Sequence, residues 1–251
     1  MKTNSFAFQG VNGAYSEQAG KNVFPDAKSL PCSTFEEMFA CVRNDKADIA
    51  LVPIENSQAG RVADTQRLIP DSDLNIIGEY FLEVRHNLLA VPGTKINDIK
   101  RVHSHEQGIA QCRNKIIKLN KQMVIAADTA GSAKKISELN NKEDAAIASS
   151  LAAEIYNLEV LETDFQDAEY NVTRFLIMSK DKSDIEPNEG NIITTLVFIV
   201  RSIPASLYKC LGGFASNGVN ITKLESYIHP QGFDVAQFYI CLLYTSPSPR
   251  D

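Results

Sequence analysis

The run Asn171-Val172-Thr173-Arg174-Phe175-Leu176 sets a small hydroxyl and a guanidinium beside the start of an apolar stretch. An acidic, turn-like approach from Asp164 to Tyr170 precedes it, and Phe175-Leu176-Ile177-Met178 reads as a short buried strand. A Thr and an Arg where a loop enters a strand can handle an anion. Arg is a fixed cation whose planar fork suits a carboxylate, and Thr173 offers a compact donor next to it. Two other readings stay open: Asn171-Val172-Thr173 is also a glycosylation sequon, and Arg174 fits an ordinary surface charge at a strand start.

Polar groups recur in the same kind of place elsewhere. Ala47-Asp48-Ile49-Ala50-Leu51-Val52-Pro53-Ile54 is the near-continuous apolar run of a strand buried on both faces. It empties into Glu55-Asn56-Ser57, where open α/β sheets hold their ligands; Ser57 also suits a helix cap. The short strand Ile99–Val102 ends in Ser104-His105-Glu106-Gln107, before a helix with Ile109, Cys112, Ile116 and Leu119 on one face. At the N-terminus, Phe6-Ala7-Phe8-Gln9 runs into Gly10-Val11-Asn12-Gly13-Ala14-Tyr15-Ser16, a tight loop with Ser16 as cap of a helix from Glu17 to Val23. A strand, a Gly-rich loop and a helix start form an anion pocket or a plain turn, and the spacing is not that of a dinucleotide site.

The elements that must position these groups repeat as strand, polar cap, helix. Ser33 to Glu36 and Thr34 to Glu37 have capping-box spacing for a helix through Val42. Leu74–Leu82 and Arg85–Val91 alternate as strands; within the second, His86 reads as a packed structural residue. Val124–Ala127 leads to Asp128-Thr129-Ala130-Gly131-Ser132 opening a helix, and Ala145–Ser150 leads to another. This is the alternation of an α/β domain with mainly parallel strands, arranged as two sheets across a cleft, with the run around Phe175 returning to the first. After a polar linker at 181–193, a βαββ order over 194–240 reads as the front of a ferredoxin-like βαββαβ unit, with Pro204 opening its helix. The segment 241–251, with Pro247 and Pro249, resembles translated adapter sequence and is expected to lie outside the fold, the natural end falling some tens of residues further on.

The 251 residues, 44% hydrophobic and 22% charged, are those of an ordinary globular protein. A net charge of −6 argues against a nucleic-acid surface, and no run has membrane-spanning length. Five scattered cysteines without Cys-x-x-Cys, four histidines in carboxylate-poor surroundings and no signal-like N-terminus predict a cytoplasmic protein without a metal.

Taken together and in order, the stretches at 10–16, 52–57, 104–107, 146–149 and 171–175 resemble the prephenate dehydratase family, and Thr222-Lys223-Leu224-Glu225-Ser226 resembles its trailing ACT regulatory domain. The resemblance implies a bilobed fold like periplasmic binding proteins, with a catalytic domain over 1–180 and an ACT domain over 194–240. It implies decarboxylating dehydration of prephenate to phenylpyruvate without a cofactor, in a homodimer or homotetramer inhibited by phenylalanine. Thr173 and Arg174 would be catalytic. Glu55, Asn56, Ser57, Ser104, His105 and Phe175 would contact substrate. Leu207, Asn217, Val219, Asn220, Glu225 and Ser226 would meet phenylalanine. The chain departs from the family pattern at Glu106, Pro204-Ala205-Ser206-Leu207 and Tyr227-Ile228. Arogenate, the amino analogue, is the alternative substrate, and its ammonium would want a carboxylate nearby; a non-catalytic amino-acid sensor is the alternative from another class.

Overall fold

The computed structural model describes residues 3–182, 192–229 and 232–244, and the chain divides into two units, residues 1–183 and 184–251. The first unit has two lobes. The first lobe opens with β1 (Ser5–Gln9), α1 (Tyr15–Val23), β2 (Lys28–Cys32), α2 (Phe35–Arg43), β3 (Ile49–Asn56), the short β4 (Gly60–Arg61), α3 (Ala63–Leu68) and β5 (Asn75–Glu83). The second comprises β6 (Asn87–Ala90), β7 (Arg101–His105), α4 (Glu106–Gln111), α5 (Arg113–Lys118), β8 (Gln122–Ala126), α6 (Thr129–Leu139), β9 (Asp144–Ala148), α7 (Ser150–Ile155) and β10 (Glu159–Glu162). The chain then returns to the first lobe as β11 (Val172–Ser179).

The sheets run β2-β1-β3-β11-β5, with β4 on β3, and β10-β6-β9-β7-β8. They are mixed rather than mainly parallel. β1, β2 and β3 pair in parallel, as do β7, β8 and β9, but β11 lies antiparallel between β3 and β5, and β6 lies antiparallel between β9 and β10. The chain crosses between lobes twice, and a strand arriving from the other lobe enters from the opposite end. The apolar runs earn their burial: Ile49 to Val52 and Ala145 to Ala148 are at most 1% exposed, with separate clusters packed on each face of both sheets.

Local chemistry explains most boundaries. Thr34 Oγ1 accepts the Glu37 N–H, so Thr34 caps α2 as its spacing to Glu37 predicts, while the Glu37 carboxylate accepts the N–H of Ser33, one residue before the cap, rather than that of Thr34. The expected long helix after Gln107 is two six-residue helices, broken at Cys112. The Pro31-bearing strand β2 sits at a sheet edge, where a missing N–H costs no ladder bond.

The second unit comprises β12 (Ile192–Ile199), α8 (Ser206–Ser216), β13 (Asn220–His229) and β14 (Gly232–Tyr244), in a sheet ordered β12-β14-β13. The helix starts two residues past Pro204, after Ala205 at φ +64. The final strand continues to Tyr244, four residues beyond its expected end. Cys241 is paired to Thr195 and Lys223 and is fully buried. Cys241–Tyr244 therefore belong to the sheet rather than to a tail; residues 245–251 and most of the linker lie outside the described residues.

One close contact fixes α1 on its sheet. A Cβ at Gly20 would fall 2.2 Å from the fully buried Phe6 ring. Helix propensity alone would let Gly20→Ala stabilise the protein by up to ~1 kcal/mol. Overpacking reverses that sign, and urea unfolding is expected to read a loss of about 1–3 kcal/mol.

Candidate active site between the two lobes

Strand β11 decides which of its side chains do chemistry. Successive residues of a strand point to opposite faces, and here Thr173 and Phe175 line a cavity of about 240 Å³ between the lobes. Arg174 points the other way and is 8% exposed. Its Nη1 lies 3.0 Å from Glu55 Oε1 and its Nη2 lies 2.7 Å from Glu79 Oε2, with the guanidinium 5.9 Å from the Phe81 ring centre. The expectation that Arg174 grips substrate is corrected by this geometry: its charge is balanced by two carboxylates on the far face of the sheet. Glu55 is committed there too, and does not line the cavity.

The partner strand keeps its own groups in register through an irregularity. Thr173 pairs with Asn56 and Phe175 with Pro53, so β3 spends an extra residue between Arg174 and Phe175. Residues 53 and 56 are an odd number apart and would face opposite sides of a regular strand. The bulge turns both toward the cavity.

Asn56 then fixes the polarity of Thr173. Its Oδ1 accepts the N–H groups of Gln58 and Ala59, and its Nδ2 donates to Thr173 Oγ1 at 2.9 Å and to Asn171 Oδ1 at 2.9 Å. With that lone pair occupied, the Thr173 hydroxyl hydrogen is left to point into the cleft. Asn171 is 2% exposed and donates to Gln111 Oε1 on the second lobe, so the sequon reading fails on burial. The same Gln111 oxygen lies 2.7 Å from His86 Nε2, and the Tyr15 hydroxyl lies 2.7 Å from His86 Nδ1. With the amide set this way, His86 carries its proton on Nε2 and accepts from Tyr15. Burial pushes the His86 pKa down and that of Tyr15 up, so both stay neutral and the chain of bonds keeps its direction. This chain joins both lobes at the first crossover. A second clasp joins the Gly13 loop to the second lobe, where Ser149 Oγ donates to Gly13 O and Tyr156 Oη to Asn12 O.

Among the described residues lining the cavity none is Lys or Arg, and Asp128 is the one carboxylate. Ser16 is not a cap: α1 begins at Tyr15 after Ala14, with no side-chain cap, and the Glu17 carboxylate turns back to Gly13 N and Ser29 Oγ. The N–H groups of Tyr15, Ser16 and Glu17 therefore meet no acceptor among the described residues. Ala14, Tyr15 and Ser16 line the cavity, so an uncapped helix start, the end of a helix whose dipole favours negative charge, forms part of its wall. His105 lines it as well, its Nδ1 accepting the Gln107 N–H.

The other expected residues scatter. Ser104 is fully buried and donates to Ile147 O, so its hydroxyl faces the lobe interior and not the cavity. Ser57 accepts the Val172 N–H and ties β3 to β11 rather than capping α3. Leu207 sits at the start of α8, whereas Asn217, Val219 and Asn220 follow its end, about 15 Å away at 1.5 Å per residue. Glu225 pairs with Tyr239, and Ser226 with Phe238, across the β13–β14 ladder. Tyr15, Gln111 and Asp128 were not expected as site residues. Tyr15 and Asp128 stand at helix starts that the sequence did mark, and Gln111 stands four residues past Gln107 on the same short helix.

A two-lobed α/β protein with an oriented hydroxyl and a helix end facing one cleft cavity is built to hold and transform a small anion. The model of the prephenate dehydratase family matches residues 6–183, and the chain belongs to that family of lyases. It is 44% identical over 232 residues to a bifunctional N-acyl-homoserine lactone acylase/prephenate dehydratase of Komagataeibacter europaeus, covering 92% of this chain and 83% of that one. It is 42% identical to the chloroplastic arogenate dehydratase/prephenate dehydratase 2 of Arabidopsis thaliana, covering 88% of this chain and 58% of the relative; the chain spans little more than half the length of such plant relatives. The crystal structure of a prephenate dehydratase from Arthrobacter aurescens in complex with L-Phe has a TM-score of 0.86 at 33% identity, covering 96% of this chain and 80% of that one. No helix among the described residues is long and apolar enough to cross a membrane.

The placement of Arg174 has a measurable consequence. Arg174→Ala leaves Glu55 and Glu79 facing each other across a largely buried site. A loss of about 1–3 kcal/mol in chemical unfolding is expected, discounted because both carboxylates keep some solvent. A substrate-gripping Arg would instead raise KM with stability intact.

Proposed function

We propose that the chain catalyses the decarboxylating dehydration of prephenate to phenylpyruvate, carbon dioxide and water, with Thr173 as the group that meets the departing hydroxyl. The observation that carries this reading is the Asn56 Nδ2 to Thr173 Oγ1 bond at 2.9 Å, which leaves the Thr173 hydrogen as a donor into the cavity. In the reaction the bond to the ring carboxylate breaks and its electron pair enters the ring. The ring becomes aromatic as the C–O bond to the hydroxyl breaks and that oxygen leaves as water. Negative charge grows on the leaving oxygen, and a pre-aimed donor there stabilises the transition state more than the ground state. Thr173 acts as a hydrogen-bond donor, because its alkoxide is too unstable for it to give up its proton. Glu55 is tied to Arg174 outside the cavity, so the proton comes from His105, which lines it, or from water.

The remaining carboxylate, on the pyruvyl side chain, sits at the start of α1, where free N–H groups and the helix dipole favour an anion. Pro53, Val62, Val84 and Phe175 form an apolar wall of the same cavity. Against that wall the ring carboxylate is poorly solvated, and loses its charge on becoming carbon dioxide. We further propose that the second unit gives feedback regulation by phenylalanine in a homo-oligomer. Its βαββ order supports this, as does the exposure of Leu196, Ile199 and Leu224 on the sheet. The complex of the Arthrobacter aurescens relative with L-Phe adds to that support.

Thr173→Val keeps the branched shape and removes only the hydroxyl. A fall in kcat of at least ~100-fold is expected, with a melting temperature within about 4 °C of the wild type. Near-normal turnover by the valine variant would overturn the role given to Thr173.

A further inference from the structure

A cavity for a dianion has no electrostatic use for a carboxylate, yet one faces this one. Asp128 is the N-cap of the eleven-residue helix α6, and its Oδ1 accepts the Gly131 N–H. Its backbone carbonyl accepts the Ser132 hydroxyl, which pins the cap a second time. Oδ2 accepts no hydrogen bond from any described residue. The sequence keeps room for that arrangement: a Cβ at position 131 would fall 2.6 Å from Oδ2, and Gly131 has none. Capping alone does not account for the choice of residue, because Asn or Ser caps a helix about as well without a charge.

The cavity also offers the complementary group. The uncapped start of α1, at Ala14, Tyr15 and Ser16, belongs to the first lobe, and Asp128 and Thr129 belong to the second; all five line the same cavity. An α-keto acid needs only the helix end, for its carboxylate. An α-amino acid needs both, a donor array for its carboxylate and an acceptor for its ammonium. The residues stand as those two halves, with no Lys or Arg among the described residues of the lining to compete for the acid.

We propose that Asp128 determines substrate scope: its free oxygen receives the α-ammonium group of arogenate, so that the cavity accepts the amino analogue alongside prephenate. This rests on the dehydratase reading above and names the residue that widens it. The chemistry at the ring is the same for both substrates, since the ammonium lies on the side chain and takes no part in loss of carboxylate and hydroxyl.

The test is steady-state turnover of prephenate and arogenate by the full chain and by Asp128→Asn, which keeps size and cap. The wild type is expected to convert both. The variant is expected to lose at least about tenfold in kcat/KM for arogenate, the effect of a hydrogen bond to a charged group, while its KM for prephenate falls as like-charge repulsion is relieved. Asp128→Ser, also a competent cap, is expected to shift the ratio the same way and replaces Asp128→Asn if that variant folds poorly. A purely structural role would move both substrates in one direction, and that result overturns the proposal. So does a wild type that converts prephenate but not arogenate. A wild type that converts neither removes the dehydratase reading itself.

Discussion

The site depends on the pleat of one strand. β11 lies between β3 and β5 and bonds to both, so its face assignment is held along its length. Two-residue periodicity then separates neighbours with opposite duties: Thr173 goes to the cavity, and Arg174 goes to Glu55 and Glu79 on the far face. A slip of one residue would exchange them, leaving the guanidinium in the cleft and the hydroxyl beneath the sheet. The bulge in β3 completes the arrangement. It lets Pro53 and Asn56 share a face, so the amide that orients Thr173 stands directly opposite it.

Around that strand the donors are dipoles rather than fixed cations. Two carboxylates absorb the nearby arginine, and the described lining of the cavity carries amides, hydroxyls, two imidazoles, a helix start and one carboxylate, Asp128. Neutral donors hold a carboxylate without the deep well that a buried cation would create. That matters for a reaction in which one carboxylate must be given up. The bonds running from Tyr15 through His86, Gln111, Asn171 and Asn56 to Thr173 also cross from one lobe to the other and back. The orientation of one hydroxyl is thereby coupled to how the lobes meet.

Much of this was legible in the sequence because it depends on local patterns. The buried strands at 49–54 and 175–178, the Thr34–Glu37 cap and the return of the chain to the first sheet follow from apolar runs and short polar spacings. Asn56, Thr173, His105 and Phe175 follow from their place at the ends of those elements. What the sequence concealed was facing. Arg174 and Glu55 have the right chemistry for an anion site, but the pleat turns both away. Ser104 lies next to last in β7, one residue short of His105, and the pleat turns its hydroxyl to the lobe interior. The bulge at β3 leaves no mark beyond Pro53. His86 and Gln111 meet only because the two crossovers bring distant segments together, and no spacing in the chain records that. Four residues at 241–244 carry little local signal, yet they complete β14 by pairing with strands already in place.

In the proposed mechanism Asn56 holds the Thr173 hydroxyl as a donor aimed at the leaving oxygen. Asn56→Asp tests it most directly, because the acid keeps the acceptor used by the Gln58 and Ala59 N–H groups and replaces only the donating nitrogen. The Thr173 hydrogen would then turn back to the new carboxylate. With phenylpyruvate formation from prephenate as the readout, kcat is expected to fall at least ~100-fold in a protein that still folds. A variant with kcat near that of the wild type would remove that role from Asn56 and Thr173.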